Sequence, residues 1–313
     1  MRWAEISIET RCGATEQVAS IASDYAPSGV AIIDPEVTEE AGRSQGLSEL
    51  ELSAVLGDGA AIVRFYASDS ETELAAMLSE LRQRLASEVS CSDGGGDVVS
   101  ISVRMADDSE WSGWKQAFKP FRLTERIVVS PDGKAEGTGD GGIVITIDPG
   151  QAFGTGQHPT TAGCAALLEL AIKGGERVLD IGTGTGILAI AAAKLGASEV
   201  LAIDIDPVAV RCSNENITRN SVAAVVTSQK GDLLIGVDGT FDVILANILA
   251  GPVIEISAQA AGLLREGGTI ITSGYVLKSE DEVIKAMNSA GLEIVERFQE
   301  HDWVAMAAAR KSG

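Results

Sequence analysis

Residues 178–196 read "VLDIGTGTGILAIAAAKLG", with Gly182, Gly184 and Gly186 set within five positions between an apolar run and an Ala-rich run. A short β-branched segment, then glycines, then a helix-forming segment is the pattern of a strand, a tight turn and a helix. In an open parallel sheet the first such turn lies beside the crevice where ligands bind. Glycines there remove Cβ atoms, so that a ligand can lie against the backbone. The spacing is G-x-G-x-G, with Asp180 two residues ahead, and no Lys-Ser or Lys-Thr follows as in a phosphate loop. "VLAIDID" (200–206) reads as the next strand and ends at Asp204, twenty-two residues after Gly182. A carboxylate at that place can accept hydrogen bonds from both hydroxyls of a ribose.

The alternation continues outward from this turn. "PVAVRCSNENITRN" (207–220) reads as a helix with proline at its first position, and "AVVTSQKGD", "FDVILANI" and "GGTIITSG" as further strands. Helices are expected near 251–264 and 279–290. Strict β/α alternation implies a parallel sheet covered on both faces. The chain closes with two consecutive strands, "LEIVERFQE" and "WVAMAAARK", which implies an antiparallel hairpin at the sheet's edge.

Residues 1–106 follow a different plan. Strands at 3–10, 29–34, 61–67 and 97–105 and helices at 14–26 and 71–86 give the order β-α-β-β-α-β, a ferredoxin-like α+β arrangement. Leu74, Met77, Leu78, Leu81 and Leu85 fall on one face of the second helix. Residues 35–58 form a long acidic connection, and "CSDGGGD" (91–97) a turn. "DDSEWSGWKQAFKP" (107–120) predicts a short helix linking the two parts, either as a hinge or as a core-packing element. The segment 130–142 predicts a polar, Gly-rich hairpin tip between "RIVV" and "IVITID". Three regions result: 1–106, the linker 107–120, and 121–313.

Composition narrows the chemistry. The 313-residue chain carries a formal net charge of −21, which repels nucleic-acid phosphates and attracts a basic partner, or else serves solubility alone. Four cysteines without a CxxC pair and only two histidines, His158 and His301, argue against a metal site. Scattered thiols, no secretory signal and no membrane-spanning run predict a cytoplasmic protein.

The glycine turn with Asp180, Asp204 and the terminal strand pair resembles class I S-adenosylmethionine-dependent methyltransferases. The resemblance implies a seven-stranded Rossmann-like sheet whose last strand is antiparallel. It implies that Asp232 reaches the adenine amine, the alternative being a turn cap. Asp180 either touches the methionine amino group or braces the turn. Three further stretches, "DPGQAFGTGQHPTT" (148–161), "ANILAGP" (246–252) and "WKQAFKP" (114–120), look like the ribosomal protein L11 methyltransferases. That family implies methylation of the α-amino terminus and lysine side chains of a basic protein at the stalk base of the large ribosomal subunit, by a monomeric enzyme. It implies recognition through the N-terminal domain, and cofactor contacts at Thr161, Gly182, Asp204 and Asn247. Beside it stand a lysine methyltransferase for another protein, a non-catalytic ribosome assembly factor and, more distantly, a nucleotide-binding oxidoreductase.

Methyl transfer to an amine needs the neutral amine, although a free lysine has a pKa of roughly 10.4. A dry pocket with carbonyl acceptors therefore serves better than a strong base. "NILA" fits: at a strand end, the Asn247 side-chain oxygen and the Ile248 carbonyl can both face the amine. Within "FGTGQHPTT", Thr160 or Thr161 is expected to cap a helix. His158 is either a base or a structural hydrogen-bonder, Phe153 either a cofactor cover or a loop anchor, and the glycines suggest a lid.

Overall fold

The computed structural model describes residues 2–11, 14–23, 25–26, 30–33, 60–68, 70–89, 98–107, 120–131, 133, 142–148, 154 and 156–310. The long connection, the 91–97 turn, nearly all of the linker helix, most of the Gly-rich tip and Phe153 lie outside them. The chain divides into two compact units, Met1–Phe118 and Lys119–Gly313.

In the first unit β1 (Arg2–Arg11), β2 (Ala31–Ile33), β3 (Ala60–Ser68) and β4 (Val98–Asp107) form one antiparallel sheet in the order β2-β3-β1-β4. Helices α1 (Thr15–Ser23) and α2 (Glu71–Glu88) complete the ferredoxin-like arrangement. Period-two alternation in β1 explains the core. Ala4, Ile6 and Ile8 are buried with Val18, Phe65, Leu81 and Leu85, while Leu74, Met77 and Leu78 pack against that cluster. Glu5, from the alternate set, is held by Arg104 at 3.1 Å and by the Tyr66 hydroxyl at 2.7 Å. Burial, and then the Glu5 carboxylate, push the Tyr66 hydroxyl well above its ordinary range.

The second unit begins with β5 (Phe121–Arg122), β6 (Ile127–Ser130) and β7 (Ile143–Thr146). Here the structure corrects the sequence reading. β6 and β7 run parallel, Ile127 against Ile143 and Ser130 against Thr146, so the segment between them is a crossover and not a hairpin tip. Its length, about a dozen residues, is what a parallel crossover requires.

Strands β8 (Arg177–Ile181), β9 (Glu199–Asp204), β10 (Val226–Lys230), β11 (Phe241–Asn247), β12 (Leu264–Val276), β13 (Leu292–Glu300) and β14 (Trp303–Arg310) build a seven-stranded sheet in the order β10-β9-β8-β11-β12-β14-β13. The first five are parallel; β14 pairs antiparallel with β12 and with β13. This is the sheet implied by the resemblance. The helices are α3 (Pro159–Ala171), α4 (Ile187–Leu195), α5 (Pro207–Arg219), α6 (Ala250–Leu263) and α7 (Glu280–Ser289). In α4 every residue from Ile187 to Ala192 is buried, as expected of an Ala-rich helix with no polar face. The core joins Leu179, Ile244, Ile270 and Met306 of the sheet to Val253 of α6 and Val283 of α7. Among the described residues, no helix is long and apolar enough to cross a membrane.

Candidate active site

The carboxyl ends of β8, β9 and β11, three neighbouring strands, bring the glycine turn, Asp180, Asp204 and Asn247 to one edge of the sheet, while Thr161 lies in α3 and Asp232 beyond β10. Gly182, Gly184 and Gly186 all take left-handed conformations, with φ of 70°, 55° and 82°. The Gly182 and Thr183 amides both donate to the Ile203 carbonyl, at 2.9 and 3.0 Å, which draws the turn over the end of β9. At Gly182 the absence of a side chain is obligatory twice over. Its φ disfavours any other residue, and a Cβ would stand 2.5 Å from Ile248 Cγ2.

Asp204 ties two turns together. Its Oδ2 accepts from the Gly184 amide at 2.9 Å and its Oδ1 from the Asp206 amide at 3.0 Å. Asp206 in turn caps α5, accepting from the Val208 amide at 2.8 Å. Burial raises the Asp204 carboxyl above its ordinary range, against the pull of those amides. A carboxylate offers about four lone-pair sites, so acceptor capacity remains for hydroxyl donors.

Asp180 is enclosed, at 1% exposure. The Thr183 hydroxyl donates to it at 2.6 Å. Burial pushes its carboxyl up to about 6, with Asp204's charge adding to the rise and the Thr183 bond opposing it. The bond ties the start of the turn to the end of β8.

Asn247 ends β11, and among the described residues its buried Oδ1 has no hydrogen-bond partner. Thr161, in the first turn of α3, has a buried Oγ1 in the same condition. Such atoms are rare in folded proteins, and each costs about 1–3 kcal/mol unless a ligand or water satisfies it. Cys164, one turn further along α3, faces Asp180 and Ser273; burial and the Asp180 charge push its thiol up. Asp232 lies two residues beyond the end of the edge strand β10, exposed, with its carbonyl accepting from the Ile235 amide at 2.9 Å.

His158 is the N-cap of α3, a role the sequence reading gave to Thr160 or Thr161. Its Nδ1 accepts from the Thr160 amide at 3.3 Å and meets the Thr160 hydroxyl at 2.8 Å. Its ring stands edge-on to Trp303, with centroids 4.4 Å apart. Burial lowers its pKa to about 4. A ring that is neutral, enclosed and committed to a helix end is a structural hydrogen-bonder. The Gly154 carbonyl accepts from the Thr185 hydroxyl, which fastens the "FGTGQHP" segment to the glycine turn.

Two asparagines, Asn216 of α5 and its C-cap Asn220, were missed. Asn220 pairs with both backbone groups of Thr146, at 2.9 and 2.7 Å, as a neighbouring strand would. Asn216 accepts from the Asp148 amide at 3.1 Å and donates to the Thr185 carbonyl at 2.9 Å. It thereby joins the segment after β7 to the glycine turn. The signal was present: Ala209, Ser213, Asn216, Ile217 and Asn220 form one helical stripe, and the polar members of a buried stripe must bond to something.

Among the described residues, no group of three or more His, Cys, Asp or Glu could hold a metal ion. The arrangement is instead a glycine turn with the Asp204 carboxylate on one side and the buried Asn247 amide oxygen on the other. The family model described as "Ribosomal protein L11 methyltransferase" matches residues 2–311. A ribosomal protein L11 methyltransferase of Pelotomaculum thermopropionicum is 38% identical, over the full length of both chains. One from Halalkalibacterium halodurans is 37% identical over 98% of each chain. A solved structure of ribosomal protein L11 methylase from Lactobacillus delbrueckii subsp. bulgaricus superposes with a TM-score of 0.59 at 34% identity, covering 62% of this chain and 100% of that one. With a family match that spans nearly the whole sequence and relatives this similar from end to end, the chain belongs to the ribosomal protein L11 methyltransferase family.

Proposed function

We propose that this protein transfers methyl groups from S-adenosylmethionine to amines of ribosomal protein L11, the α-amino terminus and lysine side chains. The observation that carries the reading is the buried, unpartnered Asn247 Oδ1 at the end of β11, beside the glycine turn. A buried acceptor without a partner among the described residues is suited to a donor that arrives with the substrate.

The residues present fit the cofactor. The turn Gly182–Gly184–Gly186 lets it lie against the backbone, and Asp204 accepts from its ribose hydroxyls. Asp232 takes its adenine amine, and the orphaned Thr161 Oγ1 bonds its carboxylate. Asn247 belongs to both cofactor and substrate, and Asp180 acts by holding Thr183. When bound, S-adenosylmethionine supplies a methyl group already activated by the sulfonium, so the protein's task is to orient and desolvate. The amine donates its N–H bonds to Asn247 Oδ1 and the Ile248 carbonyl, which aims its lone pair. The dry surroundings favour the neutral amine over the ammonium. No residue of the site is asked to act as a strong base, in agreement with the structural role of His158.

The N-terminal ferredoxin-like unit recognises the protein substrate, and the net charge of −21 draws a basic one. The substrate is protein and not nucleic acid, the active form is a monomer, and the reaction belongs to the cytoplasm. Intact-mass spectrometry of purified L11 after incubation with enzyme and S-adenosylmethionine tests this. Mass increments in one-methyl steps are expected. An unchanged mass, with cofactor binding shown separately, would overturn the choice of substrate.

A further inference from the structure

Among the described residues, the glycine that comes closest to other backbone is Gly274 of β12, two strands along the sheet from the glycine turn. In β12 the residues Ser273 and Gly274 together face the single residue Ala305 of β14, because Thr272 pairs with Met306 and Tyr275 with Val304. This is a β-bulge, the device by which sheets re-aim groups beside active sites. Gly274 has φ +95°, and a Cβ on it would lie 2.7 Å from the carbonyl carbon of Ile248 and 2.8 Å from its nitrogen, nearer still to its oxygen. Real Cβ atoms essentially never come so close, and the obstacle is backbone, which cannot swing aside as a side chain can. The Ile248 amide donates to the Ser273 carbonyl at 2.9 Å. On its other flank Ile248 Cγ2 occupies the space that a Gly182 side chain would take. The Ile248 peptide is therefore held between the bulge and the turn that cradles the cofactor.

The bulge itself is anchored. Ser273 Oγ donates to the Val304 carbonyl at 2.7 Å, and the hydroxyls of Thr272 and Tyr275 bond to each other at 2.8 Å in a fully buried setting.

We propose that Gly274 is a positioning residue for methyl transfer: the Ser273–Gly274 bulge sets the direction of the Ile248 carbonyl that receives the amine. This rests on the reading of Asn247 and Ile248 as amine acceptors. It adds that donor and acceptor are placed relative to one another by a stack of backbone on backbone, Gly182 to Ile248 to Gly274. In-line transfer is sensitive to such placement, since a misplacement of about 1 Å costs on the order of a hundredfold in rate.

The test compares the wild-type full-length protein with Gly274→Ala and Ser273→Ala, measuring kcat and KM on L11, the Kd for S-adenosylmethionine by calorimetry, and thermal stability. Gly274→Ala is expected to lower kcat about a hundredfold while the cofactor Kd and the KM for L11 stay within about threefold. Ser273→Ala removes the hydroxyl that ties the bulge to the Val304 carbonyl and leaves the contact over Gly182 in place, and is expected to lower kcat several-fold with the same unchanged Kd; it decides the matter if Gly274→Ala does not fold. A folded variant with wild-type kcat, or one in which kcat falls and the cofactor Kd rises together, overturns the inference and leaves the proposed function standing. A wild-type protein that binds cofactor but does not methylate L11 overturns both.

Discussion

Burial holds His158 neutral down to about pH 4, and it holds the Asp180 carboxyl protonated up to about 6. The two have opposite consequences. The ordinary histidine value is about 6.5, so as pH falls from there toward 4 the unfolded chain takes up the proton first and stability is lost. For Asp180 the folded state takes up the proton first between about 6 and 3.8, so acidification there relieves the strain of a buried charge. Replacing His158 by asparagine keeps an acceptor for the Thr160 amide and removes the titration. Urea unfolding at pH 7 and pH 5 should show the wild type losing on the order of 2 kcal/mol more than His158→Asn over that interval. Equal losses would mean that His158 is solvated. At Asp204 the expectation concerns the ligand. Asp204→Ala removes charge-assisted hydrogen bonds worth about 1.5–3 kcal/mol each, so calorimetry should find cofactor binding weakened more than tenfold. Unchanged affinity would sink the ribose assignment.

Among the elements, α5 shows what sequence made legible and what it did not. Its proline at the first position and its amphipathic run are local signals, and the helix lies where they predict. The partners of Asn216 and Asn220 come from segments far away in sequence, Thr146, Asp148 and Thr185. No periodicity names them. The same limit explains β6 and β7. Two β-branched runs with a Gly-rich interval suit a hairpin or a crossover equally well, and the parallel register of Ile127 with Ile143 is settled only in three dimensions. Likewise the cap of α3 fell to His158, because the start of that helix is fixed by the ring's contact with Trp303 of β14. By contrast the glycine turn, Asp204 and Asn247 were readable because each sits at a strand end that the β/α alternation marks. For α5 the expectation is that Asn216→Ala leaves the Asp148 amide and Thr185 carbonyl without their partner. Unfolding free energy should fall by about 1–3 kcal/mol, with a weaker cofactor Kd because the glycine turn loses a support. A stable variant with weaker binding, or the reverse, would show that stitching and cradle are separate.

At the scale of the molecule, two units with their own cores carry separate parts of the proposed reaction. A protein holding only Lys119–Gly313 should bind S-adenosylmethionine like the full chain yet fail to methylate L11; full activity would remove the recognition role of the first unit. The net charge of −21 adds an ionic-strength signature. At about 0.15 M salt charges are screened beyond about 8 Å, and at 1 M beyond about 3 Å. The KM for L11 should therefore rise with added salt while kcat on saturating substrate changes little. A salt-independent KM would assign the acidity to solubility alone.

The position of β14 between β12 and β13 bears on how the protein is made. β13 leaves the ribosome before the strand that attaches it to the sheet, and the β12 bulge has no partner until Trp303–Arg310 arrives. The earlier strands can pair as they emerge. The Ser273–Gly274 bulge that faces Ile248 gains its partner strand only after them, so on the proposed reading the support behind the amine is the last part of the site to be synthesised.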